Sequence, residues 1–191
     1  MTWLIQEFKV KSFVETGAWA GETPRYFVKY LKWAYTCENY IPRYLETVAL
    51  CKDMNITVSS TPSPAFFDEI DPEEPIMFYL DAHWEQYWPL ADELKYIEKR
   101  WPASIIVIDD AFVPDKPNFG GSFGGGFNTT IPIAGKALTD AKQSLDINFV
   151  KKHYDNTAQF LAPNYDDKAI GYLIINGTSK KSVHHPLLTQ I

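Results

Sequence analysis

The chain has 191 residues, 46% of them hydrophobic and 22% charged, which suits one domain with a core that needs neither disulfides nor a structural metal. Its net charge of −6 excludes a phosphate backbone or an anionic membrane surface as the main partner, since both call for a basic face, and favours a neutral or cationic small molecule. No stretch reaches the roughly 18 apolar residues of a membrane span, the start lacks a signal-peptide pattern, and Cys37 and Cys51 have no metal-ligand spacing, so a cytoplasmic protein with two buried thiols is expected.

Strand-like and helix-like segments alternate from residue 11 to about residue 112. Lys11–Thr16 reads as a first strand. Pro24–Lys32 reads as a helix, with Thr23 as N-cap and Pro24 in the first turn. Trp33–Glu38 is a second strand. Pro42–Met54 is a helix with Leu45, Val48, Ala49 and Met54 on or near one apolar face. Ile56–Ser60 is a short β-branched strand, and Ser63-Pro64 opens a short helix through Ile70. Ile76–Asp81 and Ser104–Asp110 are continuous apolar runs closed by acids. Between them, Pro89–Trp101 is amphipathic, with Leu90, Leu94, Ile97 and Trp101 at helical spacing. Apolar strands between helices predict a parallel sheet covered on both faces.

The rhythm breaks over Phe112–Gly135, which holds three prolines and the run Gly120-Gly-Ser-Phe-Gly-Gly-Gly126. A long loop of this kind, about 113–135, is expected to be functional or disordered, either a lid over the site or a flexible surface loop. Its phenylalanines Phe119, Phe123 and Phe127 are expected to dock on ligand or on another subunit, which leaves a homo-oligomer open. A helix over Thr139–Tyr154 follows. Strands near Ala158–Ala162 and Ala169–Asn176, joined by a turn rich in Asn and Asp, predict an antiparallel hairpin. The tail, 178–191, is polar and expected to be loosely held. Residues 1–191 read as one domain with a core of about 11–176.

Three groups of residues carry chemistry. The first is Glu15-Thr16-Gly17-Ala18-Trp19-Ala20-Gly21, between the first strand and the first helix. The glycines permit a tight turn and a close ligand approach. A dinucleotide pyrophosphate would meet an acid at Glu15, so the turn suits a cationic ligand instead. The second is Glu38, which ends the second strand 21 residues after Gly17. An acid about 20 residues past a glycine turn accepts hydrogen bonds from ribose hydroxyls. The third is the set Asp81, Asp109 and Asp110 at strand ends. Carboxylates brought together repel and call for a cation such as Mg²⁺, or a proton. His83, two residues past Asp81, is either a general base or a loop histidine bonded to a carbonyl.

The runs Val14-Glu-Thr-Gly-Ala-Trp-Ala-Gly-Glu-Thr23, Tyr35-Thr-Cys-Glu38, Phe78-Tyr-Leu-Asp-Ala-His-Trp84, Pro89-Leu-Ala-Asp-Glu-Leu94 and Ile106-Val-Ile-Asp-Asp110 resemble class I S-adenosylmethionine-dependent methyltransferases. The closest likeness is to metal-dependent sugar O-methyltransferases of the macrocin O-methyltransferase type, over about residues 11–112. The resemblance implies a Rossmann-like fold: a mostly parallel seven-stranded sheet, helices on both faces and a C-terminal antiparallel hairpin. It implies S-adenosylmethionine held by Glu15, Thr16, Gly17, Gly21, Glu38, Asn39 and Asp81. It implies Mg²⁺ on Asp81, Asp109 and Asp110, with Asp81 or His83 as catalytic base and a small molecule or sugar as acceptor. Ala82-His83 departs from the family's usual pair after the strand-four aspartate. Two other classes share these residues. A metal-dependent hydrolase on the same acids leaves Glu38 without a role, and a non-catalytic binding protein of this fold predicts acids that bind no metal.

Overall fold

The computed structural model describes residues 1–83, 89–109, 150–152, 154, 158–163, 173–177 and 182–190. They fall into two compact units, Met1–Ala82 and His83–Ile191.

In the first unit the chain runs α1 (Thr2–Phe8), β1 (Ser12–Thr16), α2 (Glu22–Phe27) with a 3-10 turn (Val28–Tyr30), β2 (Trp33–Cys37), α3 (Ile41–Cys51), β3 (Ile56–Ser59), a second 3-10 turn (Ala65–Asp68) and β4 (Ile76–Leu80). The strands lie in the order β3-β2-β1-β4, all parallel. β1 and β4 are buried along their whole length; β4 is accordingly a continuous apolar run, while β1 buries Ser12, Glu15 and Thr16 beside Phe13 and Val14. Side chains still alternate between faces. Phe13 meets Phe27 of α2 at 5.2 Å on one face. On the other, Phe78, the register partner of Val14, meets Phe67 of the second 3-10 turn at 5.7 Å.

Two expectations are corrected by the structure, and one element, α1, has no counterpart among them. It buries Leu4 and Ile5, and Lys9 ends it in the left-handed conformation at φ 53°. The N-cap of the helix after the glycine turn is Gly21 at φ 67°, not Thr23, so Pro24 sits deeper in the helix than expected. α3 ends at Cys51 rather than Met54, and on it only Thr47 and Cys51 are buried, while Leu45 (58% exposed) and Val48 face outward, as does Met54 beyond its end. The cause is the close approach of the glycine turn. A Cβ on Gly21 would lie 2.8 Å from Thr47 Cγ2 and 3.3 Å from Cys51 Sγ, so small side chains make this contact. Leu45→Ser is therefore expected to change stability by no more than about 0.5 kcal/mol, as at ordinary surface positions. Urea denaturation checks it, and a loss of about 2 kcal/mol or more, as for a buried leucine, would restore the apolar-face reading.

The second unit holds α4 (Leu90–Arg100), β5 (Ile105–Ile108), β6 (Gln159–Pro163), β7 (Leu173–Asn176) and β8 (Leu188–Gln190). α4 buries Leu90, Leu94 and Ile97, as its spacing predicts. Asp92 and Glu93 stand in its first turn and Lys99 and Arg100 in its last, the arrangement that complements the helix dipole. Strand order is β5-β7-β6-β8, with antiparallel pairing throughout. The hairpin expected near the C-terminus is thus extended by β8, which arises inside the segment expected to be loose. β8 follows Val183, which is buried and clamped by Gln159. The Val183 N–H donates to Gln159 Oε1 at 2.7 Å, and Gln159 Nε2 donates to the Val183 carbonyl at 3.0 Å. Eight strands are described rather than seven: β1 to β4 pair in parallel, and β6 and β7 form the expected C-terminal antiparallel hairpin, with β5 and β8 on its two sides. The glycine-rich loop and most of the helix expected over Thr139–Tyr154 lie outside the described residues. Among the described residues no helix is long and apolar enough to cross a membrane.

Candidate functional site

The carboxyl ends of β1, β2 and β4 meet around the glycine turn. Parallel α/β sheets place their ligands at this edge. The turn is pinned from both sides. The N–H groups of Gly17 and Ala18 both donate to the Cys37 carbonyl, at 3.1 and 2.9 Å, and the Asp81 N–H donates to the Thr16 carbonyl at 3.1 Å. Gly17 has φ +83°, and a Cβ there would lie 2.6 Å from the Asp81 carbonyl oxygen. Glycine is thus required twice over, by conformation and by space.

Glu38 leaves β2 at this edge with its N–H donating to the Ser59 carbonyl at 3.0 Å. Its side chain is 9% exposed. Trp19 N–H donates to Oε2 and Tyr40 N–H to Oε1, each at 2.9 Å. Each oxygen thus has one fixed donor and keeps lone-pair capacity for a further hydroxyl. Trp19 itself is held at φ 49°, a left-handed conformation that non-glycine residues rarely take. Thr47 Oγ1 donates to its carbonyl at 3.0 Å, and the Arg43 guanidinium lies 4.1 Å from its ring centroid.

Glu15 is 1% exposed and lies one layer below. Its Oε2 accepts from Thr36 Oγ1 at 2.7 Å, its register partner on β2. Thr16 Oγ1 is buried with no hydrogen-bond partner among the described residues, an orphaned polar atom at the foot of the turn. Asn39 is exposed and Asp81 half-buried. Glu15, Thr16, Gly17, Gly21, Glu38, Asn39 and Asp81 thus all lie on or next to the turn and the strand ends around it.

Two further expected site residues, His83 and Asp109, belong to the second unit. Burial pushes the His83 imidazole down to about 4, so it is neutral at pH 7. The folded state binds a proton less readily than the unfolded chain. Stability attached to this group is therefore full above about pH 6.5 and lost as pH falls towards 4. His83→Gln is expected to flatten that part of a stability–pH curve measured by denaturation; an unchanged slope would place its origin elsewhere. Asp109 is buried directly after β5, and Asp110 lies outside the described residues. Among the described residues no three His, Cys, Asp or Glu side chains gather as a metal site.

Four contributors were not found from the sequence. Thr36 needs the β1–β2 register to be seen. Thr47 and Arg43 sit on α3 on a face that carries no apolar signal. Trp19 had one legible mark, a large aromatic inside a glycine turn.

No family model and no curated protein matches the chain. Solved structures do. A Podospora anserina methyltransferase with bound S-adenosylhomocysteine (SAH) is similar at TM-score 0.62 and 16% identity, over 91% of this chain and 74% of that one. A Bacillus cereus O-methyltransferase in complex with SAH is similar at TM-score 0.62 and 13% identity, over 91% and 76%. The Streptomyces achromogenes O-methyltransferase TomG, in complex with S-adenosylmethionine, is similar at 0.58 and 12%, over 91% and 75%. The chain has the α/β Rossmann-like fold of these methyltransferases.

Proposed function

We propose that the protein is an S-adenosylmethionine-dependent methyltransferase that methylates a hydroxyl of a small molecule or sugar. The observation that carries the reading is the Glu38 carboxylate, oriented by two backbone N–H groups beside a glycine turn whose own residues, 15–21, include the buried acid Glu15 and no Lys or Arg. A nucleoside with a free ribose diol and no phosphate fits that combination, and so does the orphaned Thr16 hydroxyl. When bound, the donor supplies a methyl group already activated on a sulfonium. Glu38 accepts the ribose hydroxyls. Gly17 keeps the turn low enough for the ligand to approach the backbone. Glu15, held by Thr36, places negative charge beneath a cationic ligand. The methyl moves from sulfur to the acceptor oxygen, and the hydroxyl proton passes to Asp81 or to the neutral His83. The products are SAH and a methyl ether. Burial makes His83 a weaker proton acceptor than a free imidazole, and Asp81 is the second candidate for the role.

A finer part of the proposal concerns Mg²⁺. Asp81 and Asp109 each follow a strand directly, and Asp110 comes next in the chain. The described residues alone do not assemble a metal site, and no step above runs through one. If Asp81, Asp109 and Asp110 do hold Mg²⁺, EDTA should lower acceptor methylation while leaving donor binding unchanged, because Glu15 and Glu38 are not involved. Full methylation by chelated protein would remove the metal.

Equilibrium dialysis with methyl-labelled donor tests the main reading. SAH is expected to displace the label and NAD⁺ to leave it bound. Displacement by NAD⁺ and not by SAH would turn the site into a dinucleotide site.

A further inference from the structure

The glycine turn and α3 are joined at Thr47 through both branches of its side chain. Thr47 is fully buried. Its methyl group fills the space that a Cβ on Gly21 would take, and its hydroxyl donates to the Trp19 carbonyl at 3.0 Å. Trp19 occupies a disfavoured conformation at φ 49°, with its indole 65% exposed, so burial of the ring does little to hold it there. The restraints are the Thr47 bond on its carbonyl, the Glu38 bond on its N–H and the Arg43 guanidinium over its ring. Arg43 is itself tethered to Glu46 at 2.6 Å. Relaxation of Trp19 towards negative φ rotates its peptide planes and takes its N–H off Glu38 Oε2.

We propose that Thr47 is a positioning residue of the donor site: its hydroxyl holds the Trp19 peptide and, through it, the Glu38 carboxylate in the geometry that receives the ribose. The proposal rests on the donor reading above and adds to it a residue on α3 that touches no ligand. Packing and positioning make opposite forecasts for two conservative substitutions. Thr47→Val keeps the shape and the methyl against Gly21 but removes the hydroxyl. Thr47→Ser keeps the hydroxyl and removes the methyl.

The test measures SAH affinity and the exchange rate of the Trp19 amide proton in ligand-free protein. Thr47→Val is expected to weaken SAH binding about tenfold, the worth of one hydrogen bond, and to speed Trp19 amide exchange by a similar factor. Thr47→Ser is expected to stay within about twofold of wild type in both, since the bond survives. In a Glu38→Ala background Thr47→Val should cost no further affinity, because the group it positions is gone. A larger loss in Thr47→Ser than in Thr47→Val, or unchanged affinity and exchange in Thr47→Val, overturns the proposal. Additive losses with Glu38→Ala overturn it as well. Failure of wild-type protein to bind SAH overturns the donor reading instead, and amide exchange then reads the Thr47–Trp19 link by itself.

Discussion

Gly17→Ala is expected to be the most damaging single substitution at the site. An alanine at φ +83° is strained, at a cost of about 1 kcal/mol or more. Its methyl would also stand 2.6 Å from the Asp81 carbonyl oxygen, 2.9 Å from the Asp81 carbonyl carbon and 3.0 Å from the Ala82 nitrogen. All three are backbone atoms, so no side chain can swing aside. The chain leaving β4 would have to move, and with it the Asp81 N–H bond to Thr16. We expect a stability loss of about 3 kcal/mol or more by urea denaturation, together with loss of donor binding. A variant within about 1 kcal/mol of wild type would mean that the β1 and β4 exits are not locked together as described.

The second large effect is expected at Glu38. Glu38→Ala leaves the Trp19 and Tyr40 N–H groups without their acceptor and removes the partner of the ribose hydroxyls. The donor should bind about 1–3 kcal/mol more weakly, or roughly fivefold to 150-fold. Glu38→Gln is informative because it is isosteric yet not silent. Both carboxylate oxygens accept backbone N–H bonds, and an amide can present an oxygen to only one of them. Its NH₂ would face the other N–H, donor against donor. Glu38→Gln is therefore expected to fall near Glu38→Ala rather than near wild type. A fully active glutamine variant would show that the two N–H groups do not fix the carboxylate.

What the sequence makes legible follows from the range of the forces involved. β4 and β5 are legible because strands buried on both faces write themselves as apolar runs, and β1 and β2 because each is a short run with β-branched or aromatic residues between turn and helix signals. α4 is legible because one apolar stripe faces its core. The glycine turn and Glu38 are legible because the turn and the acid stand at fixed distances along the chain. α3 misleads, since its apolar residues Leu45 and Val48 lie outward and its contact is made by Thr47 and Cys51. That preference is set by Gly21, far away in sequence, and no local pattern encodes it. α1 has too short a pattern to stand out, and β8 depends on Gln159 and β6. Thr36 under Glu15 requires the strand register. The Trp19–Thr47 bond spans 28 positions and joins a backbone carbonyl to a hydroxyl, two groups that leave no trace in hydrophobic periodicity.

The central claim is that the turn around Glu38 holds the methyl donor, and a calorimetric titration of SAH into the folded wild-type protein tests it most directly. The expected result is one site per chain with micromolar affinity, about −8 kcal/mol, weakened by Glu38→Ala as above. No heat of binding from folded protein, or binding that Glu38→Ala leaves unchanged, would contradict it.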